Sequence, residues 1–245
     1  MRRVGHKGAD LIAPGNTTAS FDAAVEAGVD MLEFDVLPER PDGTGALFLA
    51  HDYADLKRRR DGGTLLTLED GLDHLCGTGL ELDVDLKLPG YEDRVAAALR
   101  DRGVADRCLV STMEPRSLRR MREVAPEIRL GWSVPRLRRN PFDSKLTVLP
   151  AYAALLAARR VLPRRAARAL REGRCDALMA NDHLVTPRLV EAVLGAGGEL
   201  YVWTVDATER IEALRALGVS AVITNDPRLF GPPLDQAVSS QVAAE

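Results

Sequence analysis

Short apolar runs alternate with longer amphipathic segments along the whole chain, the pattern of repeated βα units in a parallel sheet. The apolar runs predict eight strands, at 3–6, 31–36, 80–87, 108–112, 128–134, 177–181, 200–205 and 221–224. Between them, period-3.6 patterning predicts helices at 18–27, 68–76, 92–102, 116–124, 187–196 and 208–217, several followed by glycine stop signals. Eight strands with interleaved helices and no second zone of composition favour an α/β fold closed as a (β/α)8 TIM barrel. An open doubly wound sheet remains the structural rival, because local pattern does not encode closure.

Two stretches interrupt the alternation. Residues 47–51 form an extra strand soon after the second, across Pro41-Asp42-Gly43-Thr44-Gly45, whose turn chemistry predicts a small antiparallel β-hairpin. Residues 136–171 form an insertion after strand 5 rich in Arg, Ala and Leu, expected to make one or two helices with a break near Pro163. Residues 1–235 are expected to form a single domain, and the small, polar residues 236–245 a frayed tail.

Composition narrows the class. Hydrophobic residues make up 46% of the 245 positions, enough for a large core, and the formal net charge of −3 disfavours a nucleic-acid partner. No apolar run approaches the roughly 20 residues that span a bilayer. Cys76, Cys108 and Cys175 are too few and too scattered for a disulfide framework or a zinc site, so they are expected to be reduced, buried thiols. With no secretory segment ahead of His6, they point to the cytoplasm.

The candidate chemistry lies on two strands. In Leu80-Glu81-Leu82-Asp83-Val84-Asp85-Leu86-Lys87, every even position is apolar and every odd one charged. Period-two geometry puts Glu81, Asp83, Asp85 and Lys87 on one face, which in a barrel points inward. Burying so many charges is costly unless a cation or partner compensates them. A solvated edge strand is the plainer alternative, which the surrounding βα alternation disfavours. Leu32-Glu33-Phe34-Asp35-Val36 repeats the signal near the end of the barrel where active sites lie. Glu33, Asp35 and Asp85 could then converge on a hard divalent cation such as Ca²⁺ or Mg²⁺. Taken alone, the carboxylate pair of strand 2 could also be core acids salt-bridged near Lys87, the less favoured of the two readings.

Of four histidines, His6 and His51 fall where chain leaves strand for loop, at the same end as the carboxylates, and can act as an acid–base pair. His74 lies on a predicted helix and reads as structural, and His183 sits at a strand end with nothing to support it. Arginine is the default cation here, yet two of the four lysines, Lys7 and Lys87, fall beside the candidate site, as compact charges facing an anionic substrate would.

The ordered run His6-Lys7-Gly8, Pro14-Gly15-Asn16-Thr17, Glu33-Phe34-Asp35-Val36, Asp42-Gly43, His51-Asp52, Asp83-Val84-Asp85-Leu86-Lys87, Val202-Trp203-Thr204-Val205 and Thr224-Asn225-Asp226-Pro227 resembles the glycerophosphodiester phosphodiesterase family. Each motif is short, but their order covers nearly the whole chain. The resemblance implies hydrolysis of a glycerophosphodiester to an alcohol and glycerol 3-phosphate. It implies His6 and His51 as the acid–base pair, and Glu33, Asp35 and Asp85 as ligands of one divalent cation. Lys87 and Lys7 would meet the phosphate, and Trp203 would wall the glycerol pocket. This chain departs from the family in carrying Lys7 for Arg, Gly15 for Glu and Asp85 for Glu. Two alternatives stand beside this reading. One is a lysophospholipase D-like lipid phosphodiesterase, favoured by a peripheral lipid contact through residues 136–171. The other is a non-catalytic barrel that binds a phosphorylated metabolite.

Overall fold

The computed structural model describes residues 1–135 and 148–231. Eight parallel strands follow one another around a closed ring: β1 (Arg2–Gly5), β2 (Met31–Pro38), β4 (Glu81–Leu86), β5 (Cys108–Thr112), β6 (Arg129–Val134), β7 (Ala177–Asn181), β8 (Glu199–Trp203) and β9 (Ala221–Thr224). Pairing of β1 with both β2 and β9 closes the barrel, which settles the choice against an open sheet. The short β3 (Leu47–Phe48) runs antiparallel to the far end of β2 and makes the expected hairpin.

The helices on the outside are α1 (Thr18–Glu26), α2 (Tyr53–Asp61), α3 (Leu68–Leu75), α4 (Glu92–Asp101), α5 (Pro115–Val124), α6 (Val148–Arg171), α7 (Pro187–Leu194) and α8 (Thr208–Ala216). Their starts are written locally. Thr17 and Thr67 close capping boxes with Ser20 and Asp70, Asp52 and Thr186 cap α2 and α7, and prolines open α5 and α7.

Alternation along the strands sorts the core into two shells. Leu32, Phe34, Val36, Leu82, Val84 and Leu86 face outward into the helices. Val4, Met31, Leu109, Ala177, Tyr201 and Ala221 fill the barrel interior. Each large apolar side chain among them stabilises the fold by about 1.5–3 kcal/mol. The N-terminal mouth is closed by charge: Arg2 and Arg129 each bridge both Glu81 and Glu199. Glu81 therefore points inward as expected, but its compensating partners are guanidiniums at the end of the barrel opposite the site. That leaves the C-terminal mouth for Asp83, Asp85 and Lys87.

Four expectations are corrected. The hairpin strand stops at Phe48 rather than running to residue 51, because Leu49 N–H turns away to donate to Leu66 O at 2.9 Å. His51 accordingly sits on the approach to α2, an unexpected helix whose polar sequence hides it from periodicity. Pro163 does not break α6: Leu162, Ala166, Ala169 and Leu170 pack into the core cluster shared with α7 and carry the helix past the missing N–H. Cys108 and Cys175 are buried free thiols, but Cys76 is exposed, at the end of α3 rather than inside it. The first part of the insertion, residues 136–147, and the tail at 236–245 lie outside the described residues. Among the described residues no helix is long and apolar enough to cross a membrane.

Candidate active site

The register of β2 against β4 builds the floor of the site. Glu33 lies beside Asp83 and Asp35 beside Asp85, so four carboxylates from two neighbouring strands face the same interior. Glu33, Asp35 and Asp85 can each place one oxygen within 4.8 Å of the others. This all-oxygen donor set, drawn from rigid strands, suits a hard divalent cation.

The loop after β1 closes over that floor. His6 N–H donates to Thr224 O at 2.8 Å, which ties the end of β1 to β9. The His6 ring lies with Nδ1 2.5 Å from Asn225 Oδ1 and Nε2 3.8 Å from Glu33 Oε2. Lys7 adopts a left-handed φ of 50°, uncommon for a non-glycine residue. This turn lets its N–H donate to Glu33 Oε2 at 2.8 Å while its carbonyl accepts from Asn16 N–H at 2.9 Å. Its ammonium stands 3.8 Å from Asp35 Oδ2.

Asp35 is the electrostatic centre. It is fully buried, and Asn16 grips it twice: Nδ2 donates to Oδ2 at 2.9 Å and Oδ1 accepts its N–H at 3.1 Å. His51 Nδ1 lies 3.3 and 3.4 Å from its two oxygens. Lys87 bonds both Asp35 and Asp85, and Ser111 Oγ donates to Asp85 Oδ1 at 3.3 Å. Burial works against the charge of Asp35, yet Lys87, the His51 hydrogen bond and Lys7 outweigh it and hold the carboxyl well below its usual range. Burial, reinforced by Asp35, pushes Glu33 well above its own. Lys87 is raised despite burial, because Asp35, Asp85 and Glu33 surround it. Burial and the nearby Lys7 push the His6 imidazole down to about 4, which keeps it neutral at pH 7.

A cavity of about 290 Å³ opens here, and its walls include seven of the eight residues expected from sequence: His6, Lys7, Glu33, His51, Asp85, Lys87 and Trp203. Asp35 is the eighth, sealed beneath them. The Trp203 indole is fixed by a 3.0 Å bond from Nε1 to Met179 O. His74 pairs with Asp22 on the helical shell, as a structural histidine would, and His183 is not among the cavity walls. A larger cavity, about 420 Å³, lies outside the barrel between α5 and α6 around Trp132, and none of the expected residues reaches it.

Sequence reasoning missed Asn16, Ser111 and Asn225 as site residues. Asn16 left a trace, since it lies in a quoted motif and takes a left-handed φ of 56°, a conformation asparagine tolerates. Asn225 lies in a quoted motif as well, but neither it nor Ser111 carries a charge or a periodic signal of its own.

Known proteins resemble this chain in sequence and fold. A glycerophosphodiester phosphodiesterase of Caldanaerobacter subterraneus is 23% identical over 91% of this chain and 93% of its own length. Among solved structures, an Oleispira antarctica phosphodiesterase, in complex with the product sn-glycerol-3-phosphate, superposes with a TM-score of 0.70 at 20% identity, covering 98% of this chain and 97% of that one. A glycerophosphodiester phosphodiesterase of Thermotoga maritima does so at 0.68 and 19%, covering 94% and 97%. The model of the glycerophosphoryl diester phosphodiesterase family matches residues 80–229, more than half of the sequence, and the chain belongs to that family.

Proposed function

We propose that this phosphodiesterase hydrolyses glycerophosphodiesters to an alcohol and glycerol 3-phosphate, with His6 and His51 as its acid–base pair. Family membership makes the chain an enzyme and sets aside the non-catalytic barrel. The observation that carries the mechanism is the meeting of both imidazoles, Glu33, Asp85 and both lysines in one cavity directly over Asp35.

Glu33, Asp35 and Asp85 would hold one divalent cation, Ca²⁺ or Mg²⁺, which when bound supplies charge to polarise a phosphodiester oxygen and orient the attacking one. One imidazole takes the proton of the nucleophile, either water or the neighbouring glycerol hydroxyl, and the other protonates the departing alcohol. Lys87 and Lys7 offset negative charge growing on the phosphoryl oxygens. Trp203 presents a flat apolar wall to the glycerol carbons. The buried free thiols Cys108 and Cys175 fit a reducing compartment, the cytoplasm.

Release of glycerol 3-phosphate from glycerophosphocholine, lost with EDTA and restored by Ca²⁺ or Mg²⁺, tests the reading. His6→Ala and His51→Ala should each lower kcat by about 10²–10⁴-fold. Near-normal turnover in either variant removes that residue from the mechanism.

A second reading concerns how substrate is presented. Helix α6 carries six arginines and no acidic residue, and its Tyr152 and Leu156 are 55% and 42% exposed. Such a surface fits peripheral contact with anionic lipid head groups and a lysophospholipid substrate. Strong preference for the small water-soluble diester over lysophosphatidylcholine would exclude it.

A further inference from the structure

We infer that the cavity between α5 and α6 is an effector site for a nucleoside phosphate, a ligand with one flat ring and one phosphate end. Its occupancy is felt at the active site. That coupling rests on the functional reading above; the binding itself does not.

The cavity exists because the helical layer is open at one place. Helix α4 packs against α5 and α6 against α7, but α5 and α6 stand apart over β6. The gap measures about 420 Å³, which is larger than the active-site cavity and falls within the roughly 300–1,000 Å³ of small-ligand sites. Alternation along β6 turns Trp132 outward with Leu130 and Val134. Its indole touches both outer core clusters, yet it is only partly buried and lines the cavity. Leu118, Ala169 and Cys175, all buried, close the floor around it. A planar ring needs only such a wall to stack on. An acyl chain needs depth that this floor denies.

The rim fixes the sign of the ligand. Arg119, Arg165, Arg168 and Arg174 line the cavity against one carboxylate, Glu172. That carboxylate is already engaged, accepting from Arg168 Nε at 2.6 Å and lying 2.9 Å from Arg174 Nε. Among the described residues, Arg119 and Arg165 have neither a hydrogen-bond nor an ion-pair partner. Guanidiniums meet phosphate through paired N–H donors and also stack on flat rings. Residues 136–147 carry three arginines and one lysine against Asp143, so charge sets that segment aside as the occupant.

Two stretches of chain join this cavity to the active site. On β6, Trp132 lines the outer cavity and its neighbour Ser133 the inner one. In the turn from β5 to α5, Met113 lines the inner cavity and Pro115 the outer one. A ring seated against Trp132 and Pro115 therefore biases the same backbone that carries Ser133 and Met113.

The test uses ADP as the probe with the full chain. Calorimetry in EDTA should show a single site for ADP. Arg119→Glu combined with Arg165→Glu reverses two exposed charges, so the thermal midpoint and the turnover of glycerophosphocholine without ADP should be unchanged. ADP affinity should fall at least about tenfold in that chain. Trp132→Leu should weaken ADP more than inorganic phosphate, because it removes the stacking face and leaves the arginines. With Ca²⁺ present, saturating ADP should change kcat/KM of the parent at least about fivefold and leave the charge-reversed chain unmoved. Chelation of the cation by ADP would act on both chains alike. No binding of ADP, or binding that survives the charge reversal, overturns the site. Tighter binding of oleate, or displacement of ADP by phosphatidylglycerol vesicles, gives the cavity to lipid and overturns the nucleotide. Binding with turnover unmoved overturns the coupling. Absence of diester hydrolysis in both chains would sink the functional reading instead, and calorimetry would still decide the site.

Discussion

The Asp10 carboxylate fills the space that a side chain on Gly15 would need. Its Oδ1 accepts the Gly15 N–H at 2.7 Å, and a Cβ on Gly15 would fall 2.5 Å from that oxygen and 2.7 Å from the Cβ of Lys7. The second Asp10 oxygen stands 4.0 Å from the Lys7 ammonium. A carboxylate thus remains beside Lys7 although position 15 has none, brought from five residues earlier in the same loop.

Gly15→Ala should therefore be harmful although alanine is the smallest change possible. The added Cβ must displace Asp10 or Lys7, at a cost of about 1–3 kcal/mol typical of overpacking. The loop carrying His6 and Lys7 would shift with it. A lowered thermal midpoint together with a raised KM for glycerophosphocholine is expected; a variant indistinguishable from the parent would mean the loop adjusts freely.

Lys87 is the counter-charge for a floor of buried acids, and its removal should show that role directly. Lys87→Met would leave Asp35 and Asp85 without their shared partner, a loss of about 3–5 kcal/mol for a broken buried pair. A divalent cation on the same carboxylates would restore part of that. The rise in thermal midpoint on adding Ca²⁺ or Mg²⁺ should accordingly be larger in Lys87→Met than in the parent. An equal rise in both would separate the lysine from the cation site.

Asp55 anchors the second histidine from behind. Its Oδ2 accepts the His51 N–H at 3.0 Å and Arg59 Nε at 2.9 Å, while Oδ1 accepts from Arg58 at 2.6 Å. Burial disfavours its charge, but Arg59 and the His51 N–H outweigh that and lower its pKa. A lowered folded-state value adds stability above the unfolded value of about 3.9, and that stability is lost as pH falls through the folded one. Asp55→Ala should cost about 1–3 kcal/mol at pH 7, and the gap should close in acid below about pH 4. Turnover should fall as well, because the chain holding His51 is released. A stability gap that stays the same size however far the pH is lowered would assign the effect to packing.

How much of this was legible in the sequence depended on whether a residue announced itself by period. Glu33, Asp35, Asp85 and Lys87 did: alternation along β2 and β4 places them on the inward face whatever the partner strands are. Barrel closure did not, because the pairing of β1 with β2 and β9 is a relation between distant segments. Helix α2 shows no apolar period, because six of the nine residues Tyr53–Asp61 are charged, and its cap at Asp52 is its one local sign. Asn225 stands in a quoted motif, yet nothing local marks it as a partner of His6, since that contact spans 219 positions. Pro163 was over-read, because local backbone chemistry gave way to the packing of α6.

Asp83 offers the last test, at the base of the cavity. It is 1% exposed, its Oδ1 has no hydrogen-bond partner, and burial together with Asp85 pushes it up to about 8. Below about pH 4 the carboxyl is protonated both folded and unfolded and costs nothing extra. Between about 4 and about 8 the unfolded chain ionises while the folded one must hold the proton, so stability falls as pH rises. Above about 8 both states are ionised and the cost stays level. Asp83→Asn keeps the shape and removes the titration, so in EDTA it should be more stable than the parent. Its advantage should grow from pH 4 to pH 8 and then flatten. Chemical unfolding across that range measures it directly, and an advantage that shrinks with rising pH would show that the Asp83 carboxylate is stabilised in the fold.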